Sequence, residues 1–95
     1  MNKFNIYFSF KEKEMVDKSI TRLFKTFKSG FSIFSCYGGW YNLETKKNLL
    51  EKSMKVEAIT DVLEKDVKSL CKDLKEICDQ KEIIYYKSKV KLNTI

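Results

Sequence analysis

Residues 54–78, MKVEAITDVLEKDVKSLCKDLKEIC, decide the fold because the spacing of their apolar residues changes from two to between three and four. The first part alternates apolar with charged residues, which is typical of a half-buried β-strand; its apolar members are Met54, Val56 and Ala58. The second part has the spacing of one helix face, and it contains Leu63, Val67, Leu70, Cys71, Leu74, Ile77 and Cys78. The stretch therefore predicts a strand and then an amphipathic helix, with Asp61 and Glu64 at capping-box spacing where the helix begins.

The same order of strand and helix is predicted upstream. Residues 4–10, FNIYFSF, alternate strictly between apolar and polar or tyrosine positions, which predicts the first strand. A helical spacing follows in Val16, Ile20, Leu23, Phe24 and Phe27. We expect this helix to end near Ser29 and Gly30, because glycine readily adopts the left-handed conformation that follows many helices.

The remaining segments predict two further strands. Residues 31–41, FSIFSCYGGWY, are rich in aromatic and β-branched residues, with a bulge expected at Gly38 and Gly39. The polar residues 42–52 are expected to connect this strand to the next. Residues 82–92, EIIYYKSKVKL, predict the last strand.

The predicted order is β-α-β-β-α-β, which is the ferredoxin-like α+β arrangement of one four-stranded antiparallel sheet with two helices on one face. A single domain over residues 1–95 is expected, since a chain of this length supports one hydrophobic core. Because both helices lie on one face of such a sheet, the other face should be left uncovered.

Composition argues against several chemistries. Histidine is absent, and the three cysteines, Cys36, Cys71 and Cys78, show no paired metal-ligand spacing. We therefore expect no catalytic residues, no metal site and no cofactor, and hence no enzyme. An odd number of cysteines fits free thiols in a reducing compartment, and no segment predicts a signal peptide or a membrane span. These features predict a cytoplasmic location.

Three segments of the chain resemble small uncharacterised βαββαβ proteins of phages and other mobile elements. The resemblance covers roughly residues 38–85 and rests on residues 39–41, 51–59 and 74–84, which read GWY, EKSMKVEAI and LKEICDQKEII. It implies a mobile-element origin and a cytoplasmic location in the host cell. Small folded proteins of that origin often inhibit host defence, so a host protein complex such as a CRISPR effector is the implied partner.

A protein-binding site is the leading functional prediction. Trp40 and Tyr41 follow two glycines at a predicted strand end, where exposed aromatic residues often anchor protein interfaces, although they could equally cover the core. Ile83 and Tyr85, with Tyr7, are predicted to face away from the helices. An uncovered apolar face of this kind favours a partner, either a host protein or a second copy in a homodimer.

A nucleic-acid-binding domain is the alternative. The net charge of +6 is carried by eighteen lysines and one arginine, which favours contact with phosphates, although an A/T-rich genome would give a similar lysine excess. The candidate contacts lie on the first helix and the last strand: Lys18, Arg22, Lys25, Lys87, Lys89 and Lys91. A small nuclease is a third reading, but the first strand ends without the aspartate that such enzymes use to hold a metal.

Overall fold

The computed structural model describes all 95 residues, in four strands and two helices. In chain order these are β1 (Asn2–Ser9), α1 (Lys13–Thr26), β2 (Ser32–Asn42), β3 (Lys47–Thr60), α2 (Glu64–Ile77) and β4 (Ile84–Lys89). The strands form one antiparallel sheet in the order β2-β3-β1-β4. The predicted ferredoxin-like α+β fold is therefore confirmed. Neither helix combines the length and the apolar character needed to cross a membrane.

The core lies between the helices and one face of the sheet. Alternate residues of β1 supply its centre, because Phe4, Ile6 and Phe8 are at most 2% exposed. The two helices and β3 pack onto them through Leu23, Phe27, Val56, Ala58, Val67, Leu70, Cys71, Leu74 and Cys78. Burial of each large apolar side chain contributes roughly 1.5–3 kcal/mol, so this layer holds the helices on the sheet.

The β2–β3 hairpin is longer than predicted. Residues 42–52 were expected to be a connection, but the turn is only residues 43–46 and the pairing continues from Ser32 opposite Glu57 to Asn42 opposite Lys47. The Asn42 side chain explains the short turn, since its Oδ1 accepts hydrogen bonds from the backbone N–H groups of Glu44 (2.9 Å) and Thr45 (3.1 Å). This unbroken register also shows that the predicted bulge is wrong.

Part of this hairpin extends beyond the rest of the sheet. The pairing of β1 with β3 ends at Ser9 opposite Ser53, whereas β2 and β3 continue to pair past that point. We call residues 38–42 and 47–52 the arm. The arm helps to make the molecule elongated, with principal extents of 49 × 24 × 24 Å. Polar and charged residues can form strands here because the arm is not covered by the helices.

The ends of the helices and of the last strand also differ from the prediction. Helix α1 ends at Thr26, and α2 begins after Leu63 with no side-chain capping bond, so the Asp61 capping box is wrong. Thr60 instead stabilises the turn between β3 and α2, because its Oγ1 accepts a 3.1 Å hydrogen bond from the backbone N–H of Val62. Strand β4 ends at Lys89 and does not reach residue 92.

Replacing a core leucine tests the packing of α2. Leu74 is fully buried in the cluster with Phe8 and Ile6, so Leu74→Ala should lower the free energy of unfolding by about 2–5 kcal/mol. The exposed neighbour Lys75 serves as the control, and Lys75→Ala should change stability by less than about 0.5 kcal/mol. Urea denaturation followed by circular dichroism measures both. Equal small losses for the two variants would show that this helix face is wrongly assigned.

Candidate functional site

The face of the sheet away from the helices carries a cluster of aromatic and charged side chains. We call the residues on it the open face. Tyr7 of β1 stacks with Tyr86 of β4 at a ring-centroid distance of 6.3 Å. The Lys55 Nζ lies 6.0 Å from the Tyr7 ring centroid and 5.8 Å from that of Phe34. The same ammonium group pairs with Glu57 at 3.0 Å, and Lys3 approaches that carboxylate at 3.4 Å.

Mutual contacts fix the ionisation of this cluster. The hydrogen bond from Lys55 lowers the pKa of Glu57, and the same contact raises the pKa of Lys55. The hydrogen bond with Tyr86 raises the pKa of Tyr7. These shifts favour the charged forms of Lys55 and Glu57 and the neutral form of the Tyr7 phenol.

Asn5 is an unusual buried polar residue beneath this cluster. It is 1% exposed, its strand partners are Glu57 and Tyr86, and its side-chain Oδ1 has no hydrogen-bond donor. A buried acceptor without a donor costs about 1–3 kcal/mol, so sequences rarely retain one without a reason. The open face is thus both aromatic and polar at its centre.

Two residues predicted for the open face lie on the opposite side of the sheet. Tyr85 is paired with Ile6, whose side chain is in the core, so Ile83 and Tyr85 pack against the core instead. The Tyr85 hydroxyl donates a 3.0 Å hydrogen bond to Glu64 Oε2 of α2, and burial raises its pKa. The prediction assigned the wrong parity to β4.

The other predicted protein-contact residues lie in two places, on the open face and in the arm. Tyr7 lies on the open face, whereas Trp40 and Tyr41 lie in the arm and are 49% and 52% exposed. Consecutive residues of a strand point to opposite faces, so these two aromatic side chains do not form one patch. Trp40 shares the open-face parity of Phe34, and Tyr41 projects from the other side of the arm.

Of the six predicted phosphate contacts, two are occupied by carboxylates. Arg22 Nε donates to Asp73 Oδ2 at 2.6 Å and links α1 to α2, and Lys87 is paired with Glu64. Lys18 and Lys25 are exposed on α1, Lys89 is the last residue of β4, and Lys91 lies beyond that strand. The arginine therefore serves helix packing, and the remaining lysines are separate side chains on three segments.

A second polar cluster lies where β1 ends. The Ser9 and Ser53 hydroxyls are hydrogen-bonded at 2.7 Å, and Ser53 is only 7% exposed. Gln80, in the turn after α2, accepts a hydrogen bond from the Ser9 backbone N–H at 3.3 Å through Oε1. Gly38 leaves room for this arrangement, since a Cβ there would lie 2.9 Å from Ser53 Oγ. The sequence prediction missed Ser9, Ser53 and Gln80.

A cavity of about 330 Å³ adjoins this cluster. Its lining combines apolar, cationic and anionic side chains: Ser9, Phe10, Lys11, Leu50, Glu51, Lys52 and Gln80. Three segments supplied the resemblance to phage proteins, and two of them contribute Glu51 and Gln80 here, beside Gly38 just before the third. A wider groove of about 750 Å³ lies between α1 and the start of α2, but none of the residues that line it belongs to these segments. The signal that could have located the cavity is the resemblance of residues 51–59 and 74–84 to phage proteins, since Glu51 and Gln80 lie in these two segments.

The cysteines do not add reactive groups to this cavity. Cys71, on the core face of α2, and Cys78, directly after that helix, are buried, and burial raises the pKa of Cys71 to about 11. Burial also raises the pKa of Cys78, although its contact with the Ser19 hydroxyl opposes the rise. Both thiols are therefore protonated and inert at neutral pH.

Comparison with known proteins identified related folds but no family. No protein-family model matches the chain, and no curated protein sequence matches it. A phage SAM lyase in complex with S-methyl-5'-thioadenosine superimposes with a TM-score of 0.71 at 14% identity, over 93% of this chain and 80% of the lyase. The B. subtilis GlnK–ATP complex gives a TM-score of 0.62 at 15% identity, over 93% and 84% of the two chains.

CutA1 from Pyrococcus horikoshii shares the fold as well, with a TM-score of 0.64 at 17% identity over 98% of this chain and 87% of that one. At these identities the likeness shows the fold alone. This structural likeness agrees with the resemblance to small phage proteins in fold only. The expectation that the chain is not an enzyme is contradicted, because a phage enzyme has the same fold over most of this chain.

The close contact at Gly38 gives a test of the Ser9–Ser53 arrangement. Gly38→Ala should lower the free energy of unfolding by about 1–3 kcal/mol, because the new methyl group displaces the Ser53 hydroxyl. Adding Ser53→Ala removes that oxygen and so relieves the clash. The loss of unfolding free energy in the double variant should therefore be smaller, by at least about 0.5 kcal/mol, than the losses of the two single variants added together. Chemical denaturation measures the four proteins. Additive losses would show that the serine hydroxyl does not occupy the space above the glycine; Ser35→Ala is the neutral control on the same strand.

Proposed function

We propose that this chain binds S-adenosylmethionine, or a close adenosine sulfonium analogue, in the cavity beside Ser9 and Ser53 and cleaves it as a lyase. The observation that carries the proposal is the convergence of Ser9, Glu51 and Gln80 at one cavity, although they are far apart in sequence. Two proteins of the same fold support the ligand class. One is a SAM lyase bound to S-methyl-5'-thioadenosine, and the other is GlnK bound to ATP.

The cavity has side chains that suit the sulfonium, the carboxylate and the adenine ring of such a ligand. Glu51 supplies a carboxylate for the positive sulfonium, and Lys11 and Lys52 supply ammonium groups for the ligand carboxylate. Phe10 and Leu50 offer an apolar surface for the adenine ring. Hydrogen bonds to charged groups contribute about 1.5–3 kcal/mol each, enough to orient a small ligand that carries both positive and negative groups.

The cleavage does not require the residues that the sequence lacks. The carboxylate of the amino-acid part can form a C–O bond to the carbon attached to sulfur, while the C–S electron pair passes to sulfur. The products are S-methyl-5'-thioadenosine and a lactone that keeps the ammonium group, so atoms and charge balance without water or proton transfer. A protein can therefore accelerate this step by positioning the ends and surrounding the sulfonium, and no histidine base is needed.

Product analysis tests this function. The purified protein incubated with S-adenosylmethionine should release S-methyl-5'-thioadenosine, measured by liquid chromatography and mass spectrometry. Glu51→Gln should lower kcat/KM by about 10- to 100-fold, because the sulfonium loses its counter-charge. Glu44→Gln, in the exposed turn of the arm, is the matched control and should leave the rate unchanged. A folded protein that neither forms this product nor binds S-methyl-5'-thioadenosine by calorimetry would refute the proposal.

The open face supports a second candidate function, the binding of a host protein. Phe34 and Tyr86 are each 48% exposed there beside Tyr7, and the adjacent Lys3 and Lys55 favour an acidic partner surface. A CRISPR effector complex is the partner that the resemblance to mobile-element proteins suggests.

This candidate is tested by biolayer interferometry against purified CRISPR effector complexes. Tyr86→Glu places a charge at the centre of the aromatic cluster and should weaken such a complex by at least about tenfold. Tyr37→Glu, on the opposite face of the hairpin, is the control. Binding that both variants retain would place the interface elsewhere on the protein.

A further inference from the structure

We propose that the free edge of β2 is a self-association surface, along which β2 pairs antiparallel with β2 of a second copy of this chain. Strands β2 and β4 are the two edges of the sheet. An edge strand presents unpaired N–H and C=O groups to the solvent, so each edge is a potential docking site unless something protects it.

The two edges differ in charge. The eleven residues of β2, SIFSCYGGWYN, include no charged residue and no proline, whereas 34% of the whole chain is charged. The six residues of β4 include Lys87 and Lys89, and lysines on an edge strand oppose sheet-to-sheet pairing. Strand β2 is also unbulged over its full length. One edge is thus protected and the other is open to another strand.

The arm would be stabilised by pairing with a second copy of the chain. Residues 38–42 pair only with β3, so the arm is a two-stranded ribbon, and an isolated ribbon of this kind is marginally stable in water. It also exposes large aromatic side chains, because Trp40 is 49% and Tyr41 is 52% exposed. An antiparallel second copy places residues 32–36 of the partner beside this arm, and each arm gains a third strand.

Side-chain complementarity favours the register in which Tyr37 lies opposite Tyr37 of the partner subunit. In that register Phe34 lies opposite Trp40 of the partner subunit, and Ile33 lies opposite Tyr41 of the partner subunit. Aromatic and β-branched residues are favourable cross-strand pairs. No like charges face each other, which matters for two copies that each carry a net charge of +6.

The same charge argument identifies a second copy as the occupant. A nucleic acid or an acidic protein would require cationic side chains, and β2 offers none. The open face is less suited to self-association, since Lys3 and Lys55 would approach their counterparts. The pairing is independent of the proposed lyase function, because it needs no ligand.

Sedimentation equilibrium at micromolar concentrations tests the edge. The wild-type protein should be dimeric, and Ser35→Lys should raise the dissociation constant by at least about tenfold, because a lysine would enter the paired edge. Ser88→Lys places the same change on the exposed β4 edge and should leave the dimer intact. Circular dichroism confirms that both variants are folded. A monomeric wild-type protein, or a dimer that Ser35→Lys leaves unchanged, would overturn the proposal.

The register has its own test. Tyr37→Cys in a Cys36→Ser background brings the two introduced thiols opposite each other, within the Cα separation of 4.4–6.8 Å that a disulfide requires. Mild oxidation should then give a covalent dimer on non-reducing electrophoresis. Leu43→Cys in the same background is the control and should remain monomeric under these conditions. The absence of a covalent dimer from the Tyr37→Cys protein would overturn the proposed pairing.

Discussion

The register of β1 against β3 is the constraint on which the rest of this structure depends. β1 is the inner strand whose core-facing residues, Phe4, Ile6 and Phe8, are nearly fully buried. A shift of one residue would move all three to the open face, so burial fixes the register strongly. The same register places Ser9 opposite Ser53 and Tyr7 opposite Lys55. The burial that stabilises the core therefore also fixes where the open face and the Ser9–Ser53 cluster lie.

The candidate cavity follows from where that register ends. Strand β1 stops at Ser9, and the turn after α2 places Gln80 against its backbone N–H. Strand β3 continues as part of the arm and brings Glu51 to the same place, while Gly38 leaves room for the Ser53 hydroxyl. A cavity lined by both cationic and anionic side chains thus lies beside well-packed elements.

Most of the fold could be predicted because its signals are local. Apolar spacing identified β1, both helices and the element order, since each element buries one regular face. The parity of β4 could not be read in this way: Ile83, Ile84, Tyr85 and Tyr86 are all apolar or aromatic, so the sequence fits either orientation. Only the pairing of Tyr85 with Ile6 decides it.

The candidate cavity was harder to predict because its residues are ordinary in sequence. Ser9, Ser53 and Gln80 acquire a common location only through strand pairing and the turn after α2. The arm was missed for a different reason. Residues 47–52 are exposed enough that charged side chains are tolerated in a strand, and their composition therefore resembles that of a loop.

The cavity as the ligand site is the central claim, and a titration followed by NMR tests it most directly. Addition of S-methyl-5'-thioadenosine to the ¹⁵N-labelled protein should shift the backbone amide signals of Ser9, Glu51 and Gln80, while those of the exposed α1 residues Lys18 and Lys25 stay in place. Shifts confined to the groove between the helices, or no shifts at saturating ligand, would contradict the account.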